Sequence, residues 1–170
     1  MLENEIKLIF FEAMKKGYAF SSNKVPVLGL PGSKSIPFKM GEFSLLDYYF
    51  VLPNSNHSYG STVIWLGDKP VWVMHYGGWY QKDVIPFLKR ALMRNYENNV
   101  FLGGRGPERL ESEDHTLQYI NKMERNKFSD FKGCEYIIST SGQTGVEPGL
   151  KIGEHHYFGG LMYFDWKNFL

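Results

Sequence analysis

Cysteine is almost absent from this chain. A single thiol, Cys134, stands among 170 residues, which excludes an intramolecular disulfide and any zinc site built from a cysteine cluster. An excess of either charge is missing too, with 19 Lys and Arg against 18 Asp and Glu, a formal charge of +1. A dedicated nucleic-acid surface shows as a basic excess, so no DNA is expected as a partner of this chain alone. Long apolar runs are lacking. The N-terminus is acidic where a secretory signal needs positive residues. Its longest apolar stretch, Leu8 to Phe11, and the later Val71 to Met74 fall far short of the roughly 20 residues that span a bilayer. No membrane association is expected. The free thiol suits a reducing compartment, and a cytoplasmic location is the expectation. What the chain has in plenty is aromatic side chains, 16% within a hydrophobic content of 43%. That is enough to bury a sizeable core in one domain over 1–170.

Ile6, Ile9, Phe10 and Ala13 fall on one helical face, which predicts a helix over about 3–16 with Gly17 as its left-handed stop. From Tyr18 to Pro37, glycine, serine and proline punctuate the chain too densely for a regular element, and a long loop or flap is expected at 18–37. Strand signals follow at Glu42–Leu52, Tyr59–Leu66 and Val71–Tyr76. The turn Gly67-Asp-Lys-Pro70 makes the last two an antiparallel hairpin. Gly77-Gly78 should close that strand. Asp83 should then cap a helix running to about Glu97, with Pro86 in its first turn and Val84, Leu88, Ala91, Leu92 and Tyr96 as its apolar stripe. A second set of strands is expected at His115–Asn121, Cys134–Ser139 and Glu154–Phe164, the last broken at Gly159-Gly160 and the polar Glu124–Lys132 left as a loop. This order of elements predicts an α+β domain: a mainly antiparallel sheet, an N-terminal helix and one central helix packed on it.

Few residues suggest chemistry. Gly29 to Ser35 lacks the glycine before the lysine and the preceding strand that a phosphate loop requires. Gly103 to Pro107 puts Arg105 on flexible backbone, either to approach an anion or simply as a turn. His155 and His156 are neighbours and point to opposite faces of a strand. Glu154 and His156 share a face and would need His75 or His115 to make a metal site, so neither metal nor cofactor is expected. Glu135 lies in an apolar strand, and the solvent-facing placement is favoured over a buried one. The aromatic residues carry the most weight. Trp72, Met74 and Tyr76 share one strand face, and Val71, Val73 and His75 the other. One face should meet the central helix, leaving the other to line a concave site with Arg105, Glu135 or His156.

An ordered series of short motifs runs along the chain. It comprises Pro31-Gly-Ser-Lys34, Asp47-Tyr-Tyr-Phe50, Val63-Ile-Trp65 and Lys69-Pro-Val-Trp-Val-Met74 with Tyr76 and Gly78. Arg105-Gly-Pro107 follows, then Phe131, Gly133, Glu135 and Ile137, and finally Tyr157-Phe-Gly-Gly160. Over about residues 31–161 this series resembles a bacterial and archaeal family catalogued as domain of unknown function 5680. Some members carry the domain behind a helix-turn-helix region of the repressor kind, which implies a sensor or effector-binding role. Here one short helix precedes the long loop. The chain departs from the family pattern at Leu30, in place of an arginine, and at Phe158, in place of a histidine. Anion or metal roles of those two positions therefore do not carry over, and the resemblance brings no catalytic residues.

The expected function is small-molecule binding, sensor-like, in an aromatic-lined cleft. Tyr49, Trp65, Trp72 and Tyr76 would supply stacking surface, with Arg105, Glu135 and His156 as polar contacts. An enzyme reading would pair Glu135 with His156 or His75 for acid–base work. A third reading is an interaction module, possible as a homodimer, since the end Tyr163 to Leu170 is aromatic and must fold back or meet another chain.

Overall fold

The N-terminal helix continues past its expected stop. In the computed structural model, which describes residues 2–19, 24–141 and 147–162, α1 spans Leu2–Ala19. Ile6, Ile9, Phe10 and Ala13 are all buried along it. Gly17 lies inside the helix, and a Cβ there would sit 2.8 Å from Cγ2 of Ile36. The glycine therefore serves close approach of α1 to the sheet rather than termination.

Among the described residues the sheet has eight strands in the order β1-β2-β3-β4-β8-β7-β6-β5, antiparallel throughout. They are β1 (Ser33–Met40), β2 (Phe43–Val51), β3 (His57–Leu66), β4 (Lys69–Tyr80), β5 (Arg109–Glu111), β6 (Leu117–Lys127), β7 (Asp130–Ser139) and β8 (Lys151–Leu161). A short 3-10 turn, Lys82–Val84, leads into α2, Ile85–Glu97. The fold is the expected α+β arrangement, with an N-terminal and a central helix. No helix of the described residues is long and apolar enough to cross a membrane.

Several boundaries differ from the sequence reading, each for a physical reason. The expected loop at 18–37 contains the last two residues of α1 and the first five of β1. Pro37 is tolerated in β1 because this is an edge strand, where a missing N–H breaks little of the ladder. β4 runs through Gly77-Gly78 because those positions lie under the Tyr59 ring and the Glu154 carbonyl, where no Cβ fits. β8 likewise continues through Gly159-Gly160, where a Cβ on Gly159 would stand 2.6 Å from Cζ of Phe131. The polar stretch 124–132 forms the ends of a β6–β7 hairpin, tied by Arg125–Asp130 at 2.8 Å and Lys132–Glu124 at 2.7 Å. Residues 124–127 are exposed on both faces, so no alternation marked them as strand. Asp83 does not cap α2. It lies in the 3-10 turn, and the N-cap position of α2 is Val84, which offers no side-chain cap. The end of the expected strand Glu154–Phe164 and the aromatic end Tyr163 to Leu170 lie outside the described residues.

Both helices lie on one face of the sheet, with α1 against α2 and against β1, β2 and β3. Trp72 anchors the core beneath them. Its ring stacks on Phe128 and Phe131, with centroids at 5.2 and 5.4 Å, and packs on Phe10 of α1. Its Nε1 donates to the Phe128 carbonyl at 3.0 Å, so the polar atom is satisfied inside the protein. Trp72 is thus a core residue and no wall of a cleft.

Candidate functional site: a cleft between the central helix and the sheet

Arg105 is placed by a loop that other elements hold rigidly. Gly103 and Gly104 have φ of 62° and 70°, a left-handed turn that glycine adopts without strain. Tyr96 Oη donates to the Gly104 carbonyl at 3.0 Å, and Asn95 Nδ2 to the Arg105 carbonyl at 2.9 Å. From β6, Asn121 Nδ2 donates to the carbonyls of Leu102 and Gly106 at 3.0 and 2.8 Å. The loop is therefore a turn, as one reading had it, and the turn drives a cation inward.

Arg105 is 4% exposed and Glu135 is fully buried. Arg105 Nε donates to Glu135 Oε1 at 2.9 Å, and its terminal NH2 donates to the same oxygen. Tyr119 Oη donates to Oε2, and burial followed by the Glu135 charge lifts that phenol well above its usual range. The favoured solvent-facing placement of Glu135 is corrected here. Alternation puts Glu135 on the same face as Phe131 and Ile137, which the core covers. Neither proposed histidine reaches it. His75 is exposed on the outer face, 2.7 Å from Ser61 Oγ, and His156 is exposed beside Glu154 at 3.4 Å. The residue opposite Glu135 in register is His155.

Next to this ion pair a half-open cavity of about 150 Å³ lies between α2 and the inner sheet face, with Asp47, Tyr49, Tyr76, Arg105 and His155 among its walls. Ile85, Leu88 and Leu92 of α2 form its apolar side. Asp47 is 6% exposed. Its Oδ1 accepts from Thr62 Oγ1 and Tyr76 Oη, each at 2.8 Å. Burial raises its pKa even so, opposed by those two bonds and by Arg105. The Arg105 guanidinium lies 5.5 Å from the Tyr76 ring centroid, a cation–π contact. His155 is 5% exposed, with Nε2 at 3.2 Å from Ser58 Oγ, and its Nδ1 has no hydrogen-bond partner among the described residues. Burial first, then Arg105, pushes its pKa down to about 4, so the ring is neutral. At the mouth, Lys24 Nζ donates to Tyr49 Oη and lies over that ring at 4.9 Å. Partial burial lowers the Lys24 pKa, against the pull of Asp47.

The cleft thus gathers three of the residues named from sequence: Tyr49, Tyr76 and Arg105. Glu135 stands behind Arg105 as its counter-ion. Trp65 lies on the outer face, opposite Ser44 in register, Trp72 is in the core, and His156 is outside. The concave site and α2 share one sheet face, instead of taking opposite faces. Sequence reasoning missed Asp47, His155 and Lys24. Asp47 carried a signal, because it breaks an apolar run at a position of the inner period. Among the described residues no group of three His, Cys, Asp or Glu side chains comes together to hold a metal.

Fold and cleft define an α+β domain with an eight-stranded antiparallel sheet and a charged, half-open cavity under its central helix. A family model described as Domain of unknown function (DUF5680) matches residues 47–162, well over half of the chain, and the chain belongs to that family. No curated protein and no solved structure matches it significantly. The matched region includes Asp47, Tyr76, Arg105, Glu135 and His155, and begins after Lys24 and Lys34.

Proposed function

We propose that this domain binds a small molecule in the cleft between α2 and the sheet. The observation that carries this reading is a half-open cavity with an apolar helix wall and a floor of buried charge, Asp47 beside Arg105. A concave apolar site with a few polar groups is the usual form of a ligand pocket. An acid–base enzyme finds less support, because Glu135 is engaged by Arg105 and Tyr119 rather than by a histidine. A thermal-shift screen of organic acids, phosphates, sugars, nucleosides and amines tests the reading. Saturation at 100 times the dissociation constant stabilises by about 2.7 kcal/mol, a shift of several degrees in a chain of this size. A class-specific shift that Tyr49→Ala diminishes supports the cleft, and a flat response across all classes overturns it.

A second reading is carried by the outer sheet face, where Phe50, Tyr59 and Phe158 are 40%, 59% and 54% exposed. Such a patch suits self-association into a homodimer. Sedimentation across a hundredfold concentration range tests it, and a constant monomer would exclude it.

A further inference from the structure

The cavity beneath α2 adjoins a second one of about 300 Å³, and the two share Tyr49, Ser58, Ile85, Leu88 and His155. Together they reach the lower end of the usual ligand-pocket range, roughly 300–1,000 Å³. Charge is distributed unevenly along this continuous cleft. Lys24 and Lys89 line the first cavity, Lys34 and Lys82 the second. None of the four has an ion-pair partner among the described residues. Among the described residues Asp47 is the sole carboxylate in either lining, and it sits more than nine-tenths buried.

Asp47 also has an unused oxygen. Both of its hydrogen bonds fall on Oδ1, from Thr62 and Tyr76, and Oδ2 accepts none among the described residues. Unlike Nδ1 of His155, Oδ2 is not sealed off without a partner; it keeps access to the cavity, where a bound molecule that supplies an O–H or N–H would gain a hydrogen bond. The same carboxylate repels a ligand's own acid group. Lys34 and Lys82 belong to the second cavity, whose lining does not include Asp47. Between the two ends lie Tyr49, Ile85 and Leu88, surfaces that accept an apolar or aromatic body.

We propose that the cleft takes a small organic acid whose apolar body carries an O–H or N–H donor at the end away from the acid. The donor meets Asp47 Oδ2, the body lies between Tyr49 and the α2 residues Ile85 and Leu88, and the acid faces Lys34 and Lys82. This assignment of ligand class rests on the proposed binding role of the cleft.

Four probes of similar size separate the requirements: 4-hydroxyphenylacetate with both groups, phenylacetate without the donor, 4-hydroxyphenethyl alcohol without the acid, and tyramine with an amine in its place. Calorimetric titration of the full chain should find 4-hydroxyphenylacetate at least tenfold tighter than each of the other three. Lys34 and Lys82 are exposed, so the double variant Lys34→Glu/Lys82→Glu should fold normally. It should lose that tenfold for the acids and keep its affinity for the neutral alcohol. Asp47→Asn preserves an acceptor for Thr62 and Tyr76 and should bring 4-hydroxyphenylacetate down to the level of phenylacetate. Equal or tighter binding of the alcohol or the amine would overturn the acid assignment while leaving the cleft reading standing. Failure of all four to bind at millimolar concentration would overturn both.

Discussion

Arg105 and Glu135 form an ion pair that solvent does not reach, with Nε 2.9 Å from Oε1 and side chains 4% and 0% exposed. Such a pair is a weak source of net stability, because two charges must be stripped of water to make it. Breaking it is another matter. Arg105→Leu or Glu135→Leu alone should cost about 3–5 kcal/mol in urea denaturation, since each leaves its partner buried and uncompensated. The double variant should be more stable than either single one. Additive losses would show that the two residues act independently.

His155 should give the fold a measurable sensitivity to acid. Its pKa is about 4 in the folded chain against 6.5 for the free group, so the unfolded chain takes up the proton first. The resulting stability is fully present above about pH 6.5 and is lost as pH falls toward 4, of order 3 kcal/mol in all. Asp47 works in the opposite direction, because its raised carboxyl binds a proton in the folded state before the unfolded one does. Arg105, Glu135 and His156 supply the surrounding charge. Melting temperatures between pH 7 and 4.5 should therefore fall less in His155→Gln than in the parent. Parallel curves would exclude the histidine as their source.

Gly153 provides a test of close packing. A Cβ at that position would overlap Cδ1 of Tyr80 and stand 2.7 Å from its Cε1. Gly153→Ala should cost about 1–3 kcal/mol by overpacking. The same substitution at the turn residue Gly32 meets no atom within 4 Å and is penalised only by its φ of 78°. Chemical denaturation of the two variants separates the two effects, with Gly153→Ala expected to lose more.

The two tryptophans first grouped as cleft walls should behave differently. Trp72→Ala removes a fully buried ring from among Phe10, Phe128 and Phe131 and should cost about 3–5 kcal/mol. Trp65→Ala, on the outer face, should cost no more than about 1 kcal/mol and leave any ligand-induced thermal shift unchanged. A change in that shift on Trp65→Ala would contradict its placement outside the cleft.

The contrast between these tryptophans shows how much was legible in the sequence. Period and turn chemistry located the β3–β4 hairpin, the stripe of α2 and the face shared by Trp72, Met74 and Tyr76, because those patterns are local. Which face the helices cover is a tertiary fact, and without it Trp72 and Tyr76 looked equivalent. Glu135 was misplaced for the same reason: alternation names two faces and does not say which is dry. The β6–β7 hairpin tip stayed hidden because its residues are wet on both sides. Strand continuation through Gly77-Gly78 and Gly159-Gly160 depended on neighbouring backbone and rings that only the sheet brings near. Tyr49, Tyr76 and Arg105 were found because aromatic and basic residues are conspicuous, whereas the break that Asp47 makes in an apolar run is a faint signal that only its burial turns into a site residue.

The pairing of β4 with β8 joins segments that lie some eighty positions apart, Trp72 opposite Leu161 and Tyr80 opposite Gly153. During synthesis the first four strands can zip together as neighbours, yet β4 keeps a bare, hydrogen-bond-hungry edge until β8 leaves the ribosome. Distant pairings of this kind slow folding, and an unpaired interior strand is an opening for aggregation. The middle of the sheet is thus completed only about seventy residues after β4 has emerged, and chains halted before residue 151 should depend on chaperones far more than those that carry β8.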